Sequence, residues 1–270
     1  MRCRYRETMH KAGDYADVIL CPEYRYEQTR GKRRPAFRPS SKGQEYINQT
    51  NAEMYFTRLV HKNFTSEDCT VHFTYAPEHN PADDAQAKRD IRNFWRRVNT
   101  AREKAGLPTV KYVYSFGRGS QSERAHFHAI MNGGQTANEL TAIWGKGYLG
   151  VSALRFDENG IAGLAVYLCR QGANKKKWVP SKNLEKPDKE TKAGRLSQKA
   201  VNAIAKNPDD RNAIAALFPG YYVPGDGCRV TVNPYDGRPF LHIRLYKQDA
   251  AFLQPRRRAR SPAPGKSKAP

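Results

Sequence analysis

The chain has 270 residues, 39% hydrophobic and 11% aromatic, with 47 Lys and Arg against 26 Asp and Glu, a formal charge of +21. That size is ample to bury a core in one or two domains. Its longest apolar run, residues 161–169, falls far short of the roughly 20 residues a spanning helix needs, which excludes a membrane protein, and the charge selects a polyanionic partner, nucleic acid first.

In chain order, the start carries Arg2, Arg4, Arg6 and Glu7 with no apolar stretch behind them, so it does not read as a secretory signal. An early strand is expected at 17–21. The run RGKRRPAFRPSSK (30–42) is basic and proline-rich, and residues 1–45 read as a basic N-terminal arm. A helix follows over 44–61, with Ile47, Met54, Leu59 and Val60 inward. CTVHFTY (69–75) reads as a strand. The clearest helix is 83–105: Ala87, Ile91, Phe94, Trp95 and Val98 recur at helical spacing, basic residues fill the other face, and Gly106 and Pro108 end it.

VKYVYSF (110–116) and RAHFHAIM (124–131) are again strand-like. Helices are expected at 136–144 and 158–171, with a strand at 150–156 between them. The segment 174–192 is basic, contains proline and has no apolar period, so it reads as a loop. A helix over 196–217 should break near Pro208, and strands at 229–233 and 240–246 are joined by a Pro234-Tyr235-Asp236-Gly237 turn. Residues 255–270 hold six basic residues, four prolines and no acid, the composition of a disordered tail. This order predicts an α+β fold, a mainly antiparallel central sheet flanked by helices over 46–254. The five cysteines, Cys3, Cys21, Cys69, Cys169 and Cys228, form no CxxC pair; free thiols in a reducing, cytoplasmic setting are expected, without cysteine-bound zinc.

Two features carry chemistry. His126 and His128 flank Phe127 on a strand, where alternation puts both imidazoles on one face, Cα atoms roughly 6.6 Å apart at about 3.3 Å per residue. The opposite face, Ala125, Phe127, Ala129 and Met131, is complete as a core without them. A surface or packing role for the pair is the alternative. Tyr167 lies off the centre of its helix's stripe of Ile161, Leu164, Ala165 and Leu168, beside Gly163 and Arg170. It reads either as a core-boundary tyrosine or as a nucleophile toward phosphate.

In this order, TVHFTY (70–75), RAHFHAIM and AVYLCR (165–170) resemble the three motifs of the HUH endonucleases, specifically the rolling-circle replication initiators of phages and plasmids. The resemblance covers residues 47–187 and implies an HUH, ferredoxin-like nuclease core and a single-tyrosine nicking and joining enzyme. Mg²⁺ or Mn²⁺ would sit on His126 and His128, and Tyr167 would form a 5′-phosphotyrosyl link. Arg170 stands where the family has a lysine. The family also places a third, acidic or polar ligand on the strand before the histidines, but here YVYSFGRG holds no acid. Glu123 is the nearest carboxylate and the expected third ligand, and Ser115 is a weaker substitute. No Walker-type loop occurs, so a host helicase and polymerase are the implied partners, acting with single-stranded or hairpin origin DNA in a bacterial cytoplasm.

For DNA contact the reading selects Arg92 and Arg96 on the Arg-rich helix, with Lys175, Lys176, Lys177, Trp178 and Lys182 in the later basic segment. Tyr148 and Trp144 are further stacking candidates, Trp144 fitting the core better. A transposase or relaxase with the same chemistry is one alternative. The other is a binding-only protein in which Phe73 and Tyr75 would be the stacking residues.

Overall fold

The computed structural model describes residues 3–24, 41–119, 124–171 and 177–250. In chain order the elements are β1 (Tyr5–Ala12), β2 (Tyr15–Pro22), α1 (Lys42–Asn63), β3 (Cys69–Thr74), α2 (Asp84–Lys104), β4 (Tyr112–Arg118), β5 (Ala125–Met131), α3 (Ala137–Trp144) and β6 (Leu149–Ala153). They continue with α4 (Ala162–Gln171), β7 (Val179–Pro180), β8 (Asp188–Ala193), α5 (Gln198–Lys206), α6 (Arg211–Ala215), β9 (Tyr221–Tyr222), β10 (Cys228–Val232) and β11 (Pro239–Lys247). The fold is α+β, with antiparallel pairing in two sheets rather than one. One sheet runs β10-β11-β2-β1-β8, with β9 also on β11; the other runs β6-β3-β5-β4-β7.

Alternation explains the second sheet. Val71 and Phe73 of β3, Phe127 and Ala129 of β5, and Tyr114 and Phe116 of β4 share one face. They pack on Ile91, Phe94, Trp95 and Val98 of α2 and on Leu140 and Trp144 of α3. Each of these large side chains contributes about 1.5–3 kcal/mol on burial. Asp83 caps α2 by accepting from the Gln86 N–H, and Thr136 and Glu139 close a reciprocal capping box on α3. On the other face Val113 and Ile130 meet Phe56 and Val60 of α1 and Ala165 and Leu168 of α4. The helices α1 and α4 therefore form a layer between the two sheets.

The first sheet covers that layer from behind. Its outer face, Val18, Leu20, Leu241, Ile243 and Leu245, packs on Val201 and Ile204 of α5 and Ile214 of α6. Its inner face carries a buried carboxylate, Asp17, which accepts from Arg58 Nε and Nη2 at 2.8 and 2.6 Å and from His242 Nε2 at 2.7 Å. Burial pushes the Asp17 carboxyl up, but the hydrogen bonds from His242 and Arg58 outweigh it and hold the group below its usual range.

Several expectations change here. Residues 5–22 are not part of an arm but a hairpin, zipped from Tyr5 opposite Pro22 to Ala12 opposite Tyr15. The late strands pair with that hairpin, Leu241 opposite Leu20, and not with the histidine strand. Ile47 is exposed, because α1 is covered mainly along its second half, where Phe56, Leu59 and Val60 are buried. Helix α4 begins four residues later than expected, after a turn over Asp157 to Gly160 whose glycine has φ 61°. Within 174–192 lie two strands; β8 has no apolar alternation because its six residues are all solvent-exposed at a sheet edge. The tail at 255–270 lies outside the described residues.

Candidate functional site

Because Phe127 points to the α2 side, His126 and His128 point to the α1–α4 side of β5, the face on which α4 lies. Their rings stand edge to face at 5.2 Å, and the Tyr167 ring meets His128 edge to face at 5.6 Å. Tyr167 remains 46% exposed, open to a large substrate. The three residues on which the sequence reading placed its chemistry thus share one surface.

The register adds a fourth residue that the sequence reading passed over. His72 of β3 lies directly opposite His128, and their rings are 4.5 Å apart, closer than the His126–His128 pair. Its signal was present in CTVHFT: with Val71 and Phe73 inward, His72 and Thr74 must take the other face. On the opposite flank, β4 sets Ser115 beside His128 and Gly117 beside His126. A Cβ at Gly117 would stand 2.8 Å from His126 Nε2, so the glycine makes room for that imidazole.

The electrostatics favour bare nitrogens. Burial, then the neighbouring His72 and His126, lowers the His128 pKa to about 4; burial and His126 also lower that of His72. His128 is therefore neutral at neutral pH. His126 Nδ1 lies 3.3 Å from the Arg124 carbonyl, which fixes the tautomer that donates from Nδ1 and leaves Nε2 as a lone pair. The buried Nδ1 of His128 and hydroxyl of Ser115 have no hydrogen-bond partner among the described residues. Unpartnered buried polar atoms are rare and call for an explanation. Neutral imidazoles with free nitrogens are the donor chemistry that a divalent ion requires. Among the described residues no three His, Cys, Asp or Glu side chains already converge as a closed cage. The expected third ligand, Glu123, lies outside the described residues.

Behind the tyrosine, α4 is fixed at its start. His61 on α1 is buried between Thr57 and Ile161: Nδ1 donates to the Thr57 carbonyl at 2.8 Å, and Nε2 accepts the Ile161 N–H at 3.2 Å. Its ring stacks on Tyr15 of the first sheet at 4.6 Å. Arg170, one turn beyond Tyr167, points to α1, where it donates to both oxygens of Glu53 at 2.7 and 3.3 Å. It does not contact the histidines.

The DNA-contact residues divide. Arg92 and Arg96 are exposed on the outer side of α2, across the second sheet from Tyr167. Lys177 lies near α1 and α4, close enough to Glu53 to help lower its pKa, and Lys182 is exposed just past β7. Trp178 packs on Phe56 at 4.8 Å and is partly buried. Lys175 and Lys176 lie outside the described residues. Tyr148 is 72% exposed and its ring lies over Gly150, while Trp144 is in the core. Phe73 and Tyr75 are fully buried, so they cannot serve as exposed stacking platforms. No helix among the described residues is long and apolar enough to cross a membrane.

No curated protein and no solved structure matches the chain. One family model does, over the segment that runs from the start of β3 through α4 and so contains His72, His126, His128 and Tyr167. Residues 68–175 match the family described as Replication-associated protein ORF2, and in this segment the chain is similar to replication-initiator proteins.

Proposed function

We propose that the chain is a replication initiator that nicks single-stranded or hairpin origin DNA through Tyr167. The observation that carries this is the Tyr167 ring set against His128 on the open side of a strand that also presents His126. A tyrosine at a core boundary has no need of imidazoles beside it. A nucleophile for a phosphodiester needs positive charge at the scissile phosphate, and the residues able to hold a cation are those beside it.

His126 and His128 would hold a divalent ion, Mg²⁺ or Mn²⁺, which supplies charge to the non-bridging phosphate oxygens as negative charge develops there. Tyr167 Oη attacks phosphorus in line and loses its phenolic proton. The bond from phosphorus to the 3′ oxygen breaks, and that oxygen takes up a proton to leave a free 3′-OH. The phosphotyrosyl ester keeps the number of P–O ester bonds constant, so rejoining needs no external energy source. Arg170, held by Glu53, keeps a fixed positive charge one turn from the nucleophile. Lys177 and Lys182 would hold the strand by its phosphates, with Tyr148 offering an exposed ring to a base. A host helicase and polymerase would supply unwinding and synthesis.

The test is covalent capture: labelled origin DNA, Mn²⁺ and the full chain, resolved on a denaturing gel. A DNA-linked species is expected, and Tyr167→Phe should abolish it. No adduct across varied origin sequences would refute nicking, and an adduct surviving the substitution would move the nucleophile elsewhere.

A further inference from the structure

We infer that His72 completes the metal centre as a third imidazole, so that the chain holds its ion through nitrogen and favours a transition metal such as Co²⁺, Ni²⁺ or Zn²⁺ over Mg²⁺. This deepens the reading above and rests on its assignment of His126 and His128.

The argument is one of register. On the face that carries the histidine pair, the cross-strand neighbours of His128 are His72 on β3 and Ser115 on β4; those of His126 are Thr74 and Gly117. One strand further out, Gly150 of β6 lies opposite His72. None of these positions is a carboxylate. Glu53, the acid beside α4, is spent on Arg170 and Gln49. Ser115 offers only a neutral hydroxyl, a poor competitor for a divalent ion against an imidazole.

His72 is also placed to move. Its side chain is exposed, and the glycine at 150 leaves only the Tyr148 ring on its outer flank. The three rings are spaced 4.5 and 5.2 Å apart through His128 as the common neighbour. Since no closed set of three donors stands among the described residues, the set closes by rotation of the exposed ring about its side-chain torsions. Oxygen ligands suit Mg²⁺, whereas imidazole suits the later first-row metals. A site of three neutral nitrogens therefore ranks Mg²⁺ low.

Calorimetric titration of the full-length chain with Co²⁺ and with Mg²⁺, together with the visible absorption of the Co²⁺ form, tests this without DNA. The wild-type chain is expected to bind Co²⁺ about 100-fold or more tightly than Mg²⁺, and His72→Gln to weaken Co²⁺ at least about tenfold and change its spectrum. His72→Glu, which returns an oxygen ligand, should narrow the gap between the two metals. Circular dichroism checks that each variant is folded. Equal Co²⁺ affinity in wild type and His72→Gln, or a wild-type preference for Mg²⁺, overturns the inference. If His126→Gln and His128→Gln weaken Co²⁺ but His72→Gln does not, only the third ligand is wrong. If none of the three substitutions matters, the metal role of the histidine pair fails as well.

Discussion

The two sheets face the same helical layer and treat polar groups in opposite ways. The first sheet buries Asp17 against α1 and satisfies it with Arg58 and His242, with His10 Nδ1 a further 3.6 Å away. The second presents three imidazoles and a serine to that layer and leaves His128 Nδ1 and Ser115 Oγ unpartnered among the described residues. The family match follows this division, ending at residue 175 and so leaving out both the N-terminal hairpin and everything from β8 onward. The lesson is that saturation marks a structural cluster and open valence marks a reactive one, even when the residue types overlap.

The sharpest way to break this contrast is to exchange the effects. Tyr167→Phe should remove all covalent adduct while moving stability by less than about 0.5 kcal/mol, since the ring is half exposed and keeps its packing. Asp17→Asn should do the reverse: about 3–5 kcal/mol lost in urea unfolding, because Arg58 is left as an uncompensated buried charge, with adduct per folded molecule retained. Loss of stability in the first or of chemistry in the second would dissolve the division.

His61, in the layer between the sheets, gives a pH-dependent version. Burial depresses its pKa from 6.5 to about 4, so the folded state resists its protonation while the unfolded chain accepts the proton. Its contribution is complete above about pH 6.5 and fades as pH falls toward 4, by roughly 3 kcal/mol in total. Asp17, depressed as well, loses its contribution only at still lower pH, below the ordinary carboxylate range. Urea midpoints across pH 4–7 should therefore slope steeply in the wild type and flatten in His61→Gln.

Gly117→Ala should cost about tenfold in adduct rate by displacing the His126 ring, with a stability change within about 1 kcal/mol. The smallest effect belongs to Arg92→Ala with Arg96→Ala. Because both lie behind α2, the pair should change the salt dependence of DNA binding only slightly, by less than about one charge in the slope, against a full unit for Lys177→Ala.

Much of this was legible beforehand. The 3.6 period of α2, the Thr136–Glu139 box and the Phe127 alternation are local signals, and the structure follows them. His72 was missed because its relation to His128 exists only through strand register across more than fifty residues. The second sheet was missed for the same reason: β2 and β11 find each other from opposite ends of the chain, and no local pattern announces a partner. Ile47 misled because apolar character predicts burial only where another element arrives to cover it. The late start of α4 reflects the His61–Ile161 contact, again a long-range one.

The alternation of β5 has a consequence for tolerance to change. Core and chemistry occupy opposite phases of one seven-residue strand. A single insertion or deletion inside it would send imidazoles into the aromatic core and Phe127 out beneath Tyr167. No variant can drift in one phase while keeping the other, so the folding register acts as a proofreader of the reactive geometry. A chain with β5 out of step fails to fold before it can miscut.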